Sequence, residues 1–256
     1  MTSVILDSFR LTGKNALVTG SSRGMGAAIA IALAEAGANV ALHASQSVPV
    51  EVIAQVAATG VRHIALTADV RQPDLAVALV DQAASAFGSL DILVNNAGIT
   101  RRAPAVDFPI TEWDEVIAAD LTTVFRLCQA AGRLMVAQGS GKIVNIASLL
   151  SFQGGITVPA YAAAKGGVAQ LTKALANEWA SKGVCVNAIA PGYMATDLTE
   201  ALQKDPTRNR QIMERIPAGR WGSPQDVAAT AVFLASPASD YINGHVLVVD
   251  GGWMGR

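Results

Sequence analysis

The sequence is short of charge and of aromatic rings: charged residues make up 15% and Phe, Trp and Tyr 5% of its 256 residues. With 19 Lys and Arg against 20 Asp and Glu, the formal net charge is −1. No basic field exists to hold nucleic acid or an acidic membrane surface, and neither partner is expected. Long apolar runs are missing as well. Segments such as Val40-Ala-Leu42 and Ile92-Leu-Val94 are strand-sized, far below the ~20 residues of a membrane span, which excludes a transmembrane helix. The opening Met1-Thr-Ser-Val-Ile-Leu-Asp7 lacks the basic start, sustained apolar stretch and small-residue cleavage site of a secretory signal, so a cytoplasmic location is expected. Only two cysteines occur, Cys128 in a helical pattern and Cys185 in a strand pattern. Without metal-ligand spacing, they are expected to be packed thiols, with no disulfide and no metal site.

What is present in quantity is apolar. At 51% hydrophobic residues the chain can bury one large core, which suits a single α/β domain over residues 1–256. Short aliphatic runs alternate with alanine-rich helical stretches: Ala16–Val18, Val40–Leu42, His63–Leu66, Ile92–Val94, Lys142–Ile146, Val184–Ile189 and His245–Val249. Strands buried on both faces read as continuous apolar runs, and seven of them with intervening helices predict a Rossmann-type, doubly wound, parallel seven-stranded sheet. Helix punctuation agrees. Ala36-Gly37 closes the first helix, Thr111 is placed as the cap of another, and Ser223-Pro-Gln-Asp226 opens a third with proline at its first position. The stretch 192–222, after the sixth strand, has no strand character. Ligands of open α/β sheets lie beyond the carboxyl ends of the strands, so this stretch is expected to form a substrate lid.

Two patterns carry chemistry. In Thr19-Gly-Ser-Ser-Arg-Gly-Met-Gly26, Gly20, Gly24 and Gly26 follow the first strand and enter the first helix. They allow a tight turn and close approach of the backbone to a pyrophosphate, whose charge the helix N-terminus favours. Ser22, Arg23 and Met25 of the same turn join them as candidate cofactor contacts. The spacing Gly-x-x-x-Gly-x-Gly differs from the Gly-x-Gly-x-x-Gly dinucleotide fingerprint. In Tyr161-Ala-Ala-Ala-Lys165, residues four apart share one helix face. A free phenol titrates near ~10 and an adjacent cation favours its ionised form, which suits Tyr161 for general acid/base work. Ser148 stands thirteen positions earlier, at the end of the fifth strand run.

Cofactor choice turns on an absence. An acid at the end of the second strand would hold the adenosine ribose hydroxyls and repel a 2′-phosphate, but that position is Ala44, followed by Ser45 and Gln46. Arg23, with His43 or Ser45, is placed to accept a phosphate, so NADP(H) is favoured slightly over NAD(H).

Together with Asn95-Asn-Ala-Gly98 and Pro191-Gly192, these motifs make the whole chain resemble the short-chain dehydrogenase/reductase family. By that resemblance Asp69 and Val70 lie near the adenine, and Asn96, Ala97 and Gly98 pack against the cofactor. Pro191, Gly192 and Met194 border it, Thr196 helps hold the nicotinamide carboxamide, and Lys165 also binds the nicotinamide ribose. Ser148 would bond the reacting oxygen while Tyr161 moves its proton. The family's pattern Trp-x-x-x-x-x-x-Asn-Leu becomes Trp113-Asp-Glu-Val-Ile-Ala-Ala-Asp120-Leu121, so Asp120 replaces an asparagine of the proton relay. A homotetramer is the family's usual assembly.

Ser151–Tyr161, Asn187–Thr196, Arg215–Gly222 and Val249–Trp253 are similar to the 2-deoxy-D-gluconate 3-dehydrogenase group, also called 2-dehydro-3-deoxy-D-gluconate 5-dehydrogenases, which implies a sugar-acid substrate. Ile99-Thr-Arg-Arg102 supplies two arginines able to grip a carboxylate in bidentate fashion; Arg102 is preferred, with Gln153 and Tyr193 for sugar hydroxyls. Two other readings stay open: a reductase of a uronate-derived aldehyde or a 3-oxoacyl thioester, and a cofactor-binding regulator without turnover.

Overall fold

The seven apolar runs become seven strands: β1 Asn15–Val18, β2 Asn39–Ala44, β3 His63–Thr67, β4 Ile92–Asn95, β5 Gly141–Ile146, β6 Val184–Pro191 and β7 Val246–Val249. In this computed structural model, which describes residues 4–256, they form one sheet in the order β3-β2-β1-β4-β5-β6-β7. Every neighbouring pair is parallel, as the expected Rossmann-type fold requires. The first three residues of the expected 1–256 domain lie outside the described residues.

The connecting helices are α1 Gly24–Glu35, α2 Val50–Ala58, α3 Pro73–Phe87, α4 Ile110–Ile117, α5 Thr123–Gln138, α6 Pro159–Trp179, α7 Glu200–Lys204, α8 Pro206–Arg215 and α9 Pro224–Ala235. Strand alternation divides the core between the two faces. Ala16, Val18, Val40 and Leu42 pack with Ile29 and Leu33 of α1, Val52 and Val56 of α2 and Val227 and Leu234 of α9. Leu17, Ala41, Leu93 and Ile143 turn the other way, onto Leu79 of α3, Leu127 and Met135 of α5 and Val168 and Leu175 of α6. None of the helices among the described residues is long and apolar enough to cross a membrane, and Cys128 and Cys185 are both free.

Thr111 does not cap its helix. Pro109, in extended conformation, is the cap residue, the helix begins at Ile110, and no side chain caps it; the cap stands two residues earlier than expected, so Thr111 falls within the first turn. The stretch 192–222 contains α7 and α8, and its ends are joined. Ala195 N–H donates to Gly222 O at 2.7 Å and Gly222 N–H to Tyr193 O at 2.9 Å. Ile212 and Ile216 then seat the excursion against Leu149 and Trp253.

Immediately after it, Ser223 Oγ accepts from Asp226 N–H while the Asp226 carboxylate accepts from Ser223 N–H at 2.7 Å. Arg220 forks onto the same carboxylate at 2.7 and 2.9 Å and holds it well below the usual carboxylate range, with help from the Ser223 backbone. Ser223→Ala should therefore cost about 1 kcal/mol in urea unfolding at neutral pH. Asp226→Asn should also destabilise near pH 7. Because the folded carboxyl is depressed, that difference is complete above the unfolded value of ~3.9 and shrinks as pH falls below it. A pH-independent gap between Asp226→Asn and the parent would contradict this.

Candidate active site

Strand order reverses between β1 and β4, the crevice where open parallel sheets bind ligands. Across it the two strand ends are stitched together. Thr19 Oγ1 accepts from both Asn96 N–H and Ala97 N–H at 3.0 Å, and Asn96 Nδ2 donates to Thr19 O and Gly20 O, each at 3.0 Å. This polar seam fixes the glycine turn. Gly20 and Gly24 adopt φ of +65° and +54°, a region that favours glycine, and a Cβ on Gly26 would collide with Gly20 O and Asn96 Nδ2. A cleft of about 660 Å³ opens above the seam.

The cleft has five sides. Gly20, Ser22, Arg23, Gly24, Met25 and Gly26 bring the N-terminus of α1 to its floor; His43, Ala44 and Ser45 come from the end of β2 and Asp69, Val70 and Arg71 from that of β3. Asn96, Ala97, Gly98, Ile99 and Arg101 follow β4, and Thr196 and Asp197 come from the base of the 192–222 excursion. The shape and chemistry fit a dinucleotide: bare backbone and a helix N-terminus for the pyrophosphate, with no acid at the end of β2. His43, however, is not a phosphate ligand. Its ring is 1% exposed, Nδ1 accepts from Gly20 N–H at 3.0 Å and Nε2 therefore donates to Ala68 O at 3.1 Å. Burial lowers its pKa, so the ring is a neutral brace for the turn. The arginines of the cleft are all paired with carboxylates: Arg23 with Asp197 at 3.6 Å, Arg71 with Asp69 at 2.8 Å and Arg101 with Glu115 at 2.9 Å.

Beside the cleft, β5 ends at Ile146 and α6 begins with Pro159 at its first turn, which puts Tyr161 and Lys165 on successive turns. Lys165 is 4% exposed; its Nζ donates to Ile146 O at 2.9 Å and lies 5.5 Å from the Tyr161 ring centroid. Its counter-ion is Asp120, with Oδ2 at 3.4 Å. Asp120 is fully buried in a π-helical turn, Ala118–Thr122, between α4 and α5. Its Oδ1 accepts from Ile99 N–H at 2.7 Å. Apart from the ion pair, Oδ2 has no hydrogen-bond partner among the described residues, and a Cβ on Gly98 would come within 2.8 Å of it. Burial pushes the Asp120 carboxyl up, against the pull of Lys165. Burial works to lower Lys165, but Asp120 and Tyr161 outweigh it, leaving the ammonium above its ordinary value.

Ser148 is half-buried and caps a 3₁₀ turn, Leu149–Ser151, its Oγ accepting from Leu150 N–H at 3.2 Å. Ser148 N–H donates to Ser151 Oγ, which itself donates to Lys165 O at 2.6 Å. One serine thus ties the Ser148 turn to α6. Further along, Gln153 Oε1 accepts from Trp253 Nε1–H at 3.2 Å, and Tyr193 packs against Trp253 at 4.6 Å with its ring tilted by 51° and edge-on to Trp221 at 5.6 Å. Met194 is buried with its sulfur against Gly222, Pro191 ends β6, and Gly192 packs on Asp250; none of these three lines the cleft. Arg102 is exposed at the segment whose next residue, Ala103, donates its N–H to Thr157 O at 3.0 Å. Thr157 is the one non-glycine residue among those described with positive φ, +64°, a strained setting for a β-branched side chain. Sequence reasoning did not single out Arg71, Ile99, Ser151 or Asp197. Ile99 contributes through its backbone N–H, and the Ser151 hydroxyl bonds only backbone groups, Ser148 N–H and Lys165 O, so neither leaves a side-chain pattern.

The family model described as enoyl-(acyl carrier protein) reductase matches residues 20–254. A 2-dehydro-3-deoxy-D-gluconate 5-dehydrogenase of Bacillus subtilis (strain 168) is 53% identical over 252 residues, 98% of each chain. A solved chain from Agrobacterium tumefaciens with bound NADP is 54% identical, with a TM-score of 0.92, over 97% of this chain and 99% of that one. A gluconate 5-dehydrogenase from Burkholderia cenocepacia, solved in complex with NADP and tartrate, is 41% identical with a TM-score of 0.92, over 99% and 100% of the two chains. Fold, cleft and whole-length similarity agree: the chain belongs to the short-chain dehydrogenase/reductase family and is an NAD(P)-dependent oxidoreductase.

Proposed function

We propose that this protein moves a hydride between NADP(H) and a secondary alcohol or carbonyl of a deoxy or keto sugar acid. The observation that carries the substrate class is the 53% identity to the Bacillus sugar-acid dehydrogenase over 98% of both chains, a span that takes in the lid, 192–222, as well as the glycine turn. Preference for NADP(H) over NAD(H) is supported by Ala44 and Ser45 where an acid would stand, by Arg23 in the cleft, and by NADP in both solved relatives. The domain is taken as residues 1–256. Free thiols in both cysteines support a cytoplasmic location. The assembly is taken as a homotetramer, the usual one of the family that the chain belongs to.

When bound, the dinucleotide supplies or accepts the hydride. In the alcohol-forming direction Tyr161 protonates the substrate oxygen and Ser148 donates a hydrogen bond to its developing charge. Lys165, held by Ile146 O, keeps a positive charge beside the phenol and binds the nicotinamide ribose. Asp120 positions that ammonium and offsets part of its field. The pyrophosphate would rest on Gly20, Ser22, Gly24, Met25 and Gly26, with the adenine near Asp69 and Val70 and the nicotinamide side bordered by Asn96, Ala97, Gly98 and Thr196. Arg102 grips the substrate carboxylate at the entrance to α6, where Ala103 joins Thr157, with Gln153 and Tyr193 at the sugar hydroxyls.

Oxidation of NADPH and NADH against keto-deoxy sugar acids, neutral ketones and a 3-oxoacyl thioester tests the assignment. Turnover should be confined to the sugar acids and be faster with NADPH; preference for the thioester would point instead to a 3-oxoacyl reductase. Arg102→Ala should raise KM for acidic sugars at least about tenfold, as loss of a bidentate ion pair does, and change KM for neutral ketones little; equal effects would reject the clamp. Asp120→Asn should stay active. With the anion gone, the field of Lys165 at the phenol is unopposed, so the rise of alcohol oxidation with pH should move to lower pH by about one unit. An unmoved pH profile would remove Asp120 from the relay.

A further inference from the structure

The three arginines of the cofactor cleft are not equally available to an incoming phosphate. Arg71 is locked: its Nε and Nη2 make hydrogen bonds of 2.8 to 3.1 Å to both oxygens of Asp69, whose carboxyl Arg71 holds below its usual range. Arg101 donates to Glu115 at 2.9 Å and to Thr100 O at 3.2 Å. Arg23 has the long contact of the set, 3.6 Å to Asp197, with side chains 78 and 72% exposed. Such a pair stabilises little and opens at small cost.

The position of Asp197 makes this pair more than a surface contact. It directly follows Thr196, whose Cγ2 stands 3.7 Å from where a Gly24 Cβ would be, and it begins the 3₁₀ turn Asp197–Thr199 that leads into α7. The lid base therefore sits against the glycine turn and presents a carboxylate to the cation there.

We propose that Asp197 is a specificity-determining residue: it competes with the cofactor's 2′-phosphate for Arg23 and so sets how strongly NADPH is preferred over NADH. Binding of the 2′-phosphate takes Arg23 from Asp197; a cofactor lacking that group leaves the pair in place. Discrimination is thereby held down by a carboxylate on the lid, outside the β2 position where an acid would be sought. The inference rests on the NADP(H) reading of the cleft.

Dissociation constants for NADPH and NADH, measured by calorimetry at low salt on the intact protein, test it with Asp197→Asn, Arg23→Ala and the double variant. Asp197→Asn should tighten NADPH about three- to fivefold, the scale of an exposed ion pair, leave NADH within about twofold, and lose its effect near 0.5 M salt. In the Arg23→Ala background the same substitution should change nothing. Unchanged NADPH affinity in Asp197→Asn, equal tightening of both cofactors, or a gain that persists without Arg23 would each overturn the proposal. Failure of the underlying reading looks different: Arg23→Ala would leave NADPH affinity unchanged.

Discussion

A buried ammonium is the constraint around which the reactive half of this molecule is built. Lys165 is almost fully enclosed, and an enclosed charge is tolerated only when partners surround it. One partner is the last carbonyl of β5, at Ile146, and the other is the equally buried carboxylate of Asp120. Meeting those partners fixes the register of α6 against the sheet edge, which in turn sets Tyr161. Asp120 reaches its place through a π-helical turn, which adds one residue to a turn of helix and re-aims the side chain. The same carboxylate receives Ile99 N–H, so the chain leaving β4 is anchored by the group that holds the lysine.

The cofactor half relies on a different device. Thr19 and Gly20 on one side and Asn96 and Ala97 on the other share four hydrogen bonds across the ends of β1 and β4, and the neutral ring of His43 braces Gly20. These groups reach the backbone and hold it open, so that bare N–H groups and the start of α1 face the cleft. A side chain at Gly26 would collide with Gly20 O and Asn96 Nδ2 and so disrupt this seam. The two halves meet through Asn96-Ala-Gly98, which is bonded to the glycine turn at one end and packed on Asp120 at the other.

Much of this was legible in the sequence. The seven strands were placed within a few residues because parallel strands buried on both faces leave uninterrupted aliphatic runs, and the cap at Ser223 followed from its residue pattern. Thr111 was misplaced as a cap because the cap residue, Pro109, stands two residues earlier and offers no capping side chain. His43 read as a candidate phosphate ligand because its burial, and the backbone groups that occupy both ring nitrogens, arise only when β1, β2 and the segment after β3 come together.

Sequence by itself determined the sheet, the glycine turn and the spacing of Tyr161 and Lys165 on one helix face, since these depend on local periodicity and on the steric freedom of glycine. Tertiary structure decided which charges are partners. Arg71 to Asp69 is local, but Lys165 to Asp120 spans 45 positions and Arg23 to Asp197 spans 174. No periodicity encodes such pairs, because their energy depends on distance and burial, and both are set only when the sheet has assembled.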